Sequence, residues 1–127
     1  MGISGTIGND APVQLKTNSN IDSQKFIITK FPDGSYRIVS RLGYQSTNKD
    51  ASYTLNAYRS GNWPCTMLQG KNNRADSEID VRTVDSISFR ILLLQHSRYL
   101  TQNGLNQSMT WGAYADAYAK AWVQVTA

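Results

Sequence analysis

The chain of 127 residues is poor in the residue types that carry most enzyme chemistry. It holds one cysteine, Cys65, one histidine, His96, and one glutamate, Glu78. A lone cysteine cannot close an intramolecular disulfide. A metal centre gathers several His, Cys or carboxylate ligands in a set geometry, and this inventory is thin for one. No phosphate-cradling glycine loop and no nucleophile elbow occurs. Cys65 with His96 is one conceivable nucleophile and base, against the plainer reading of Cys65 as a small buried hydrophobe in a strand. Asp76 with Glu78 or Asp80 is the one carboxylate pair, and on a strand these residues alternate along a solvated edge. The expectation is no enzyme, no catalytic residue, no metal and no cofactor.

Long apolar runs are also missing. The longest, Ile91-Leu92-Leu93-Leu94, suits a buried strand and is too short to span a membrane. The opening MGISGTIGND lacks the basic start and apolar middle of a signal peptide. Charged residues make up 17% and the net charge is +4. The basic residues are scattered, among them Lys16, Lys25, Lys30, Arg37, Arg41, Lys49, Arg59, Lys71 and Arg74. That distribution reads as a mixed solvated surface rather than a nucleic-acid patch, with a mild attraction to anionic polymers such as wall teichoic acids. Helix signals are scarce. The best window, AYADAYAKAW at 113–122, suggests a single turn.

What is present is a series of short strands with Gly, Asn, Asp and Pro between them, the spacing of an all-β sandwich or barrel. The expected strands are 13–17, 25–31, 35–41, 53–58, 65–70, 78–84, 87–94, 98–102, 108–113 and 121–126. From 25 to 41 the alternation is clear. Phe26, Ile28 and Lys30 face one way, and Ile27, Thr29 and Phe31 the other.

The strands repeat. Phe26 precedes Tyr36-Arg37-Ile38 by ten residues, and Ile79 precedes Phe89-Arg90-Ile91 by ten. A third copy of the first half is Lys120-Ala121-Trp122-Val123-Gln124-Val125. Upstream, Leu15 to Phe26, Leu68 to Ile79 and Trp111 to Trp122 are each eleven apart. The chain is thus read as one domain over 1–127 in three units, roughly 1–32, 33–85 and 86–127. Three units of four strands make a β-trefoil, a six-stranded barrel closed by a triangular cap of hairpins. The first unit is incomplete. It shows only Pro12-Val13-Gln14-Leu15, Gln24-Lys25-Phe26 and a weak Ile3-to-Ile7 strand, with no residues for an opening strand of the aromatic-x-Ile type. A barrel lacking a strand leaves an unpaired edge and an open core. The expectation is a fragment of a longer protein, or a gap filled by another segment or subunit.

These residues resemble a ricin-B-type β-trefoil, the bacterial variety attached to secreted enzymes and toxins. The resemblance rests on Gln24-Lys25-Phe26, similar to the family's Q-x-W, and on Asp33-Gly34-Ser35-Tyr36-Arg37-Ile38-Val39-Ser40. It rests also on Arg98-Tyr99-Leu100-Thr101, similar to its K-Y-L-D/T strand, and on Ala11-Pro12-Val13-Gln14-Leu15. The resemblance covers nearly the whole chain. It implies a secreted or cell-surface carbohydrate-binding module that takes a galactose-like sugar or a cell-wall glycan. Such a module targets an attached catalytic or toxin domain, with no nucleic-acid partner and no membrane span.

In that family each unit's pocket uses an Asp after a strand, an Asn near Q-x-W and a stacking aromatic ring, with the Gln supporting the loop. A hydroxyl-rich ligand needs such polar partners and a flat apolar platform. The resemblance carries these roles to Asn18, Asn20, Asp22 and Gln24 in the first unit, where Lys16 stands at the stacking position. In the second unit Asn56 stands at the Asp position and Gln69 at the platform, with Ser77-Glu78-Ile79 for Q-x-W. In the third, Thr101 and Gly112 take those places, with Lys120-Ala121-Trp122 for Q-x-W. No unit keeps the full set. Outside the pockets, Trp63 is a candidate stacking ring in the loop Ser60–Pro64, or else an anchor packed on the barrel. Tyr114 and Tyr118 are candidates to line a groove with Asn103, Asn106 and Asp116. Trp111, Phe26, Ile38, Ile91 and Trp122 are expected in the core. The alternative function is a degenerate trefoil acting as a structural or protein-interaction domain.

Overall fold

The structure is a computed structural model that describes residues 1–70 and 73–114. Among the described residues, ten strands form three antiparallel sheets. β1 (Gly2–Ile3) pairs with β2 (Val13–Gln14). A four-stranded sheet runs β3 (Phe26–Lys30), β4 (Tyr36–Ser40), β5 (Tyr53–Ala57), β6 (Cys65–Gln69). A second runs β7 (Ile79–Thr83), β8 (Phe89–Leu93), β9 (Arg98–Thr101), β10 (Thr110–Gly112). One four-residue helix, α1 (Arg74–Ser77), precedes β7. Each strand falls inside a run picked from its alternation, apart from the two-residue β1 at the weakest site. The expected strand 121–126 and most of the alanine-rich window lie outside the described residues.

Turn chemistry sets the β3–β4 hairpin. Phe31 N–H donates to the Ser35 carbonyl at 2.8 Å, and Gly34 takes φ +88°, a conformation that a Cβ makes costly. Asp33 Oδ1 accepts from the Ser35 amide at 2.9 Å, closing the turn on itself. Asp85 plays a similar part before β8, accepting from the Ile87 and Ser88 amides at 3.0 and 2.9 Å.

The three units meet through their middle strands. Ile3 pairs with Val13, Leu55 with Met67, and Leu100 with Trp111. All six side chains are buried, and they form the centre of the core. This register corrects the sequence alignment. Val13 and Met67, rather than Leu15 and Leu68, are the counterparts of Trp111, and Leu15 and Leu68 are half-buried. A one- or two-residue offset is invisible when neighbouring apolar residues compete for the same place in a short strand. Backbone bonds close the three pairs into a ring. Met67 N–H donates to Ala11 O at 2.9 Å, Cys65 N–H to Met109 O at 2.8 Å, and Met109 N–H to Val13 O at 2.8 Å.

Beyond this centre the core is open on one side among the described residues. A cavity of about 1010 Å³ lies between the β3–β4 and β7–β8 hairpins. Ile28, 48% exposed, and Val81, 36% exposed, line it. Phe26, expected in the core, is only half-buried because it also lines this cavity. Among the described residues no helix is long and apolar enough to cross a membrane.

Candidate functional site

The first-unit residues come together in one loop. Gln24 sits at the end of a single 3₁₀ turn, Asp22–Gln24. Its Oε1 accepts from the Ser19 amide at 2.8 Å, and its Nε2 donates to the Thr17 carbonyl at 2.9 Å. One side chain thus clamps both ends of a short stretch. Just after it, Asn20 takes φ +52°, and its amide donates to Asn18 Oδ1 at 3.1 Å. Asn is among the few non-glycine residues that tolerate this backbone region. Asn18, Asn20 and Asp22 are exposed, with Lys25 Nζ 3.6 Å from Asp22 Oδ1. The loop therefore presents two amides, a carboxylate and an ammonium on a backbone fixed by Gln24. No aromatic ring stands at the platform position, which Lys16 occupies.

The second-unit pocket is filled from within. Asn56 is buried, against its expected role as a surface sugar ligand. Its backbone carbonyl accepts from Trp111 Nε1 at 3.2 Å, and its side chain lies under Asn73, with Asn73 Nδ2 3.5 Å from Asn56 Oδ1. Asn73 also donates to Thr54 Oγ1 at 2.9 Å and accepts from Arg37. Arg37, 2% exposed, donates further to Ser35 Oγ and to the Gly70 carbonyl, and ion-pairs Asp33 at 2.7 Å. Its guanidinium lies 4.2 Å over the Phe31 ring. A buried arginine is tolerated because nearly all its donors are matched. Desolvation alone would raise the Asp33 carboxyl. Two bonds from Ser35 and the charge of Arg37 outweigh it and lower the group to about 2.

Trp63 is an anchor rather than an open platform. The Arg98 guanidinium lies 3.9 Å over its ring, and His96 meets its edge with centroids 5.2 Å apart. Its carbonyl accepts from Trp111 N–H at 2.9 Å, and its backbone takes φ +58°, strained for an aromatic residue. Around it, Asp76 Oδ1 joins His96 Nε2 at 2.9 Å and Arg59 Nε at 3.0 Å. This cluster was not visible in the sequence, since its members come from well-separated segments. Asp76 lies on α1, so it does not alternate with Glu78 and Asp80 along one strand.

In the third unit Asn103 spends its amide inside the chain, on the Ser108 carbonyl and Thr110 Oγ1, both at 3.0 Å. Tyr114 is 78% exposed. Asp116 and Tyr118 lie outside the described residues. Cys65 is fully buried, and burial pushes its thiol upward, away from the thiolate a nucleophile needs. Among the described residues no group of three or more His, Cys, Asp or Glu is placed to hold a metal.

No protein-family model and no curated protein matches the sequence. A solved structure does: a designed three-fold symmetric protein, ThreeFoil, with TM-score 0.70 and 12% identity, covering 89% of this chain and 80% of that one. The fold is a β-trefoil. The identity is too low to carry any function across.

Proposed function

We propose that the chain is a non-catalytic carbohydrate-binding module of a secreted or cell-surface protein, targeting an attached domain to glycans. The observation that carries this reading is the Gln24-clamped loop, with Asn18, Asn20 and Asp22 exposed on it. Amides and a carboxylate on a fixed backbone suit the paired hydroxyls of a sugar and limit the ordering cost of binding. Without a stacking ring the single site is weak, and avidity with an attached domain or a multivalent wall glycan compensates. A galactose-like sugar or an anionic wall polymer fits best, the latter aided by Lys16 and Lys25. The ricin-B resemblance of Gln24-Lys25-Phe26 supports the same assignment.

A glycan array and a wall-polysaccharide pull-down test it. Saturable binding is expected, weakened about tenfold when Asn18 and Asn20 are both changed to Ala, with the circular-dichroism spectrum of the folded chain retained although the loop loses its Asn18–Asn20 bond. Binding that survives the double change, or no glycan binding at all, overturns the reading. A second reading, a protein-interaction trefoil, is favoured by the Arg37–Asn73 network that closes the second-unit pocket.

A further inference from the structure

β4 and β8 are one strand written twice. Ser35-Tyr36-Arg37-Ile38-Val39 and Ser88-Phe89-Arg90-Ile91-Leu92 share serine, aromatic, arginine, isoleucine and aliphatic in order. Each is paired on both edges, β4 between β3 and β5, β8 between β7 and β9. The registers agree. Ile38 faces Ile28 and Ile91 faces Val81. Val39 faces Thr54 and Leu92 faces Tyr99, in each case one residue before the buried Leu55 or Leu100.

The first-unit counterpart of β5 and β9 is β1, where Ile3 holds the place of Leu55 and Leu100. Among the described residues no strand stands beside β1 as β4 stands beside β5. Among the described residues, a cavity of about 1010 Å³ stands at the third side of the barrel, and Met1, Phe26, Ile28, Val81 and Phe89 help to line it. Burial there lowers the Met1 amino group by desolvation. Ile87, 71% exposed, also faces this cavity.

We propose that this cavity is a docking site for one extended strand of another polypeptide, with the pattern serine, aromatic, arginine, isoleucine, aliphatic. The strand adds along β1 with its aliphatic residue opposite Gly2, the position equivalent to Thr54 and Tyr99. Its isoleucine enters the barrel, as Ile38 and Ile91 do. Main-chain bonds supply affinity and the alternate side chains supply selectivity. A second copy of this chain is a poor occupant, because its β4 and its β8 are already paired on both edges. The proposal does not rest on the glycan reading, although Asn18, Asn20, Gln24 and Lys25 of that loop also line the cavity.

The test uses the whole chain and a fluorescent, end-capped peptide with the sequence of residues 33–41. Fluorescence anisotropy is expected to show saturable binding, accompanied by a rise in Tm. Replacing the peptide's isoleucine by aspartate weakens binding about tenfold or more. In the protein, Val81→Asp removes binding with circular dichroism and Tm unchanged, since Val81 is partly exposed, and Tyr58→Ala leaves binding intact. Three results overturn the proposal. One is no saturable binding. Another is equal binding of the aspartate peptide or by the Val81→Asp protein. The third is a dimer of the chain, seen in sedimentation, that Val81→Asp dissolves and the peptide does not displace.

Discussion

At the scale of the residue, the chain is held by a few side chains with no slack. Trp111 is fully buried and donates its indole N–H to the Asn56 carbonyl. Trp111→Ala removes both packing and a donor, and a loss of about 3–5 kcal/mol is expected in urea unfolding. Tyr114→Ala, at an exposed ring, should change stability by less than about 0.5 kcal/mol in the same measurement. Arg37 is the other fixed point. Arg37→Met keeps bulk but strands Asn73 and the Gly70 carbonyl, and a cost of about 2–4 kcal/mol is expected. Asp33 gives this network a pH dependence. Its folded carboxyl is depressed to about 2, so its contribution is fully present above the ordinary aspartate range. That contribution is lost as pH falls through about 2. Glu78, lowered by its hydrogen bonds from Arg74, acts in the same direction. Urea midpoints between pH 5 and pH 2 should therefore fall, and fall less in Asp33→Asn. The sequence showed Arg37 as part of a repeated motif, but not its burial. Its partners Asp33, Gly70 and Asn73 are joined only by the folded hairpins, so no spacing rule exposes them.

Elements were the most legible level. Alternation and turn residues placed β2 to β10, because a strand with one buried face writes its period into the sequence. β1 was faint, since Gly2–Ile3 carries a single apolar side chain beside a glycine. α1 was missed because four residues are too few for a helical stripe, and a long-range bond holds it, from Arg74 to the Asp33 carbonyl at 3.0 Å. The candidate site divided along the same line. Gln24 bonds within its own loop, to partners near it in the sequence. Asn56 and Trp63 are placed by residues from other units, which no local pattern shows. The β3–β4 turn offers a check at this scale. Gly34→Ala forces a Cβ into φ +88°, and a loss of about 1 kcal/mol is expected in thermal melts, with the strand register retained in amide exchange.

For the whole molecule, the β-trefoil plan was legible because the same strand pattern recurs. The exact register was not, since Val13 competes with Leu15 and Met67 with Leu68 for one place. The ring of backbone bonds through Ala11, Val13, Cys65, Met67 and Met109 has a consequence for the clock of folding. Each of its bonds joins chain segments that are far apart in sequence, so no unit can complete its centre alone. Loop-closure entropy must be met before the core rewards it. Refolding from urea, followed by tryptophan fluorescence, is therefore expected to take roughly milliseconds to seconds rather than microseconds. Met109→Ala, which thins the ring's packing while keeping its backbone, should show whether the three arms join before or after the barrier. A slower refolding rate places the junction in the transition state, and a faster unfolding rate places it after.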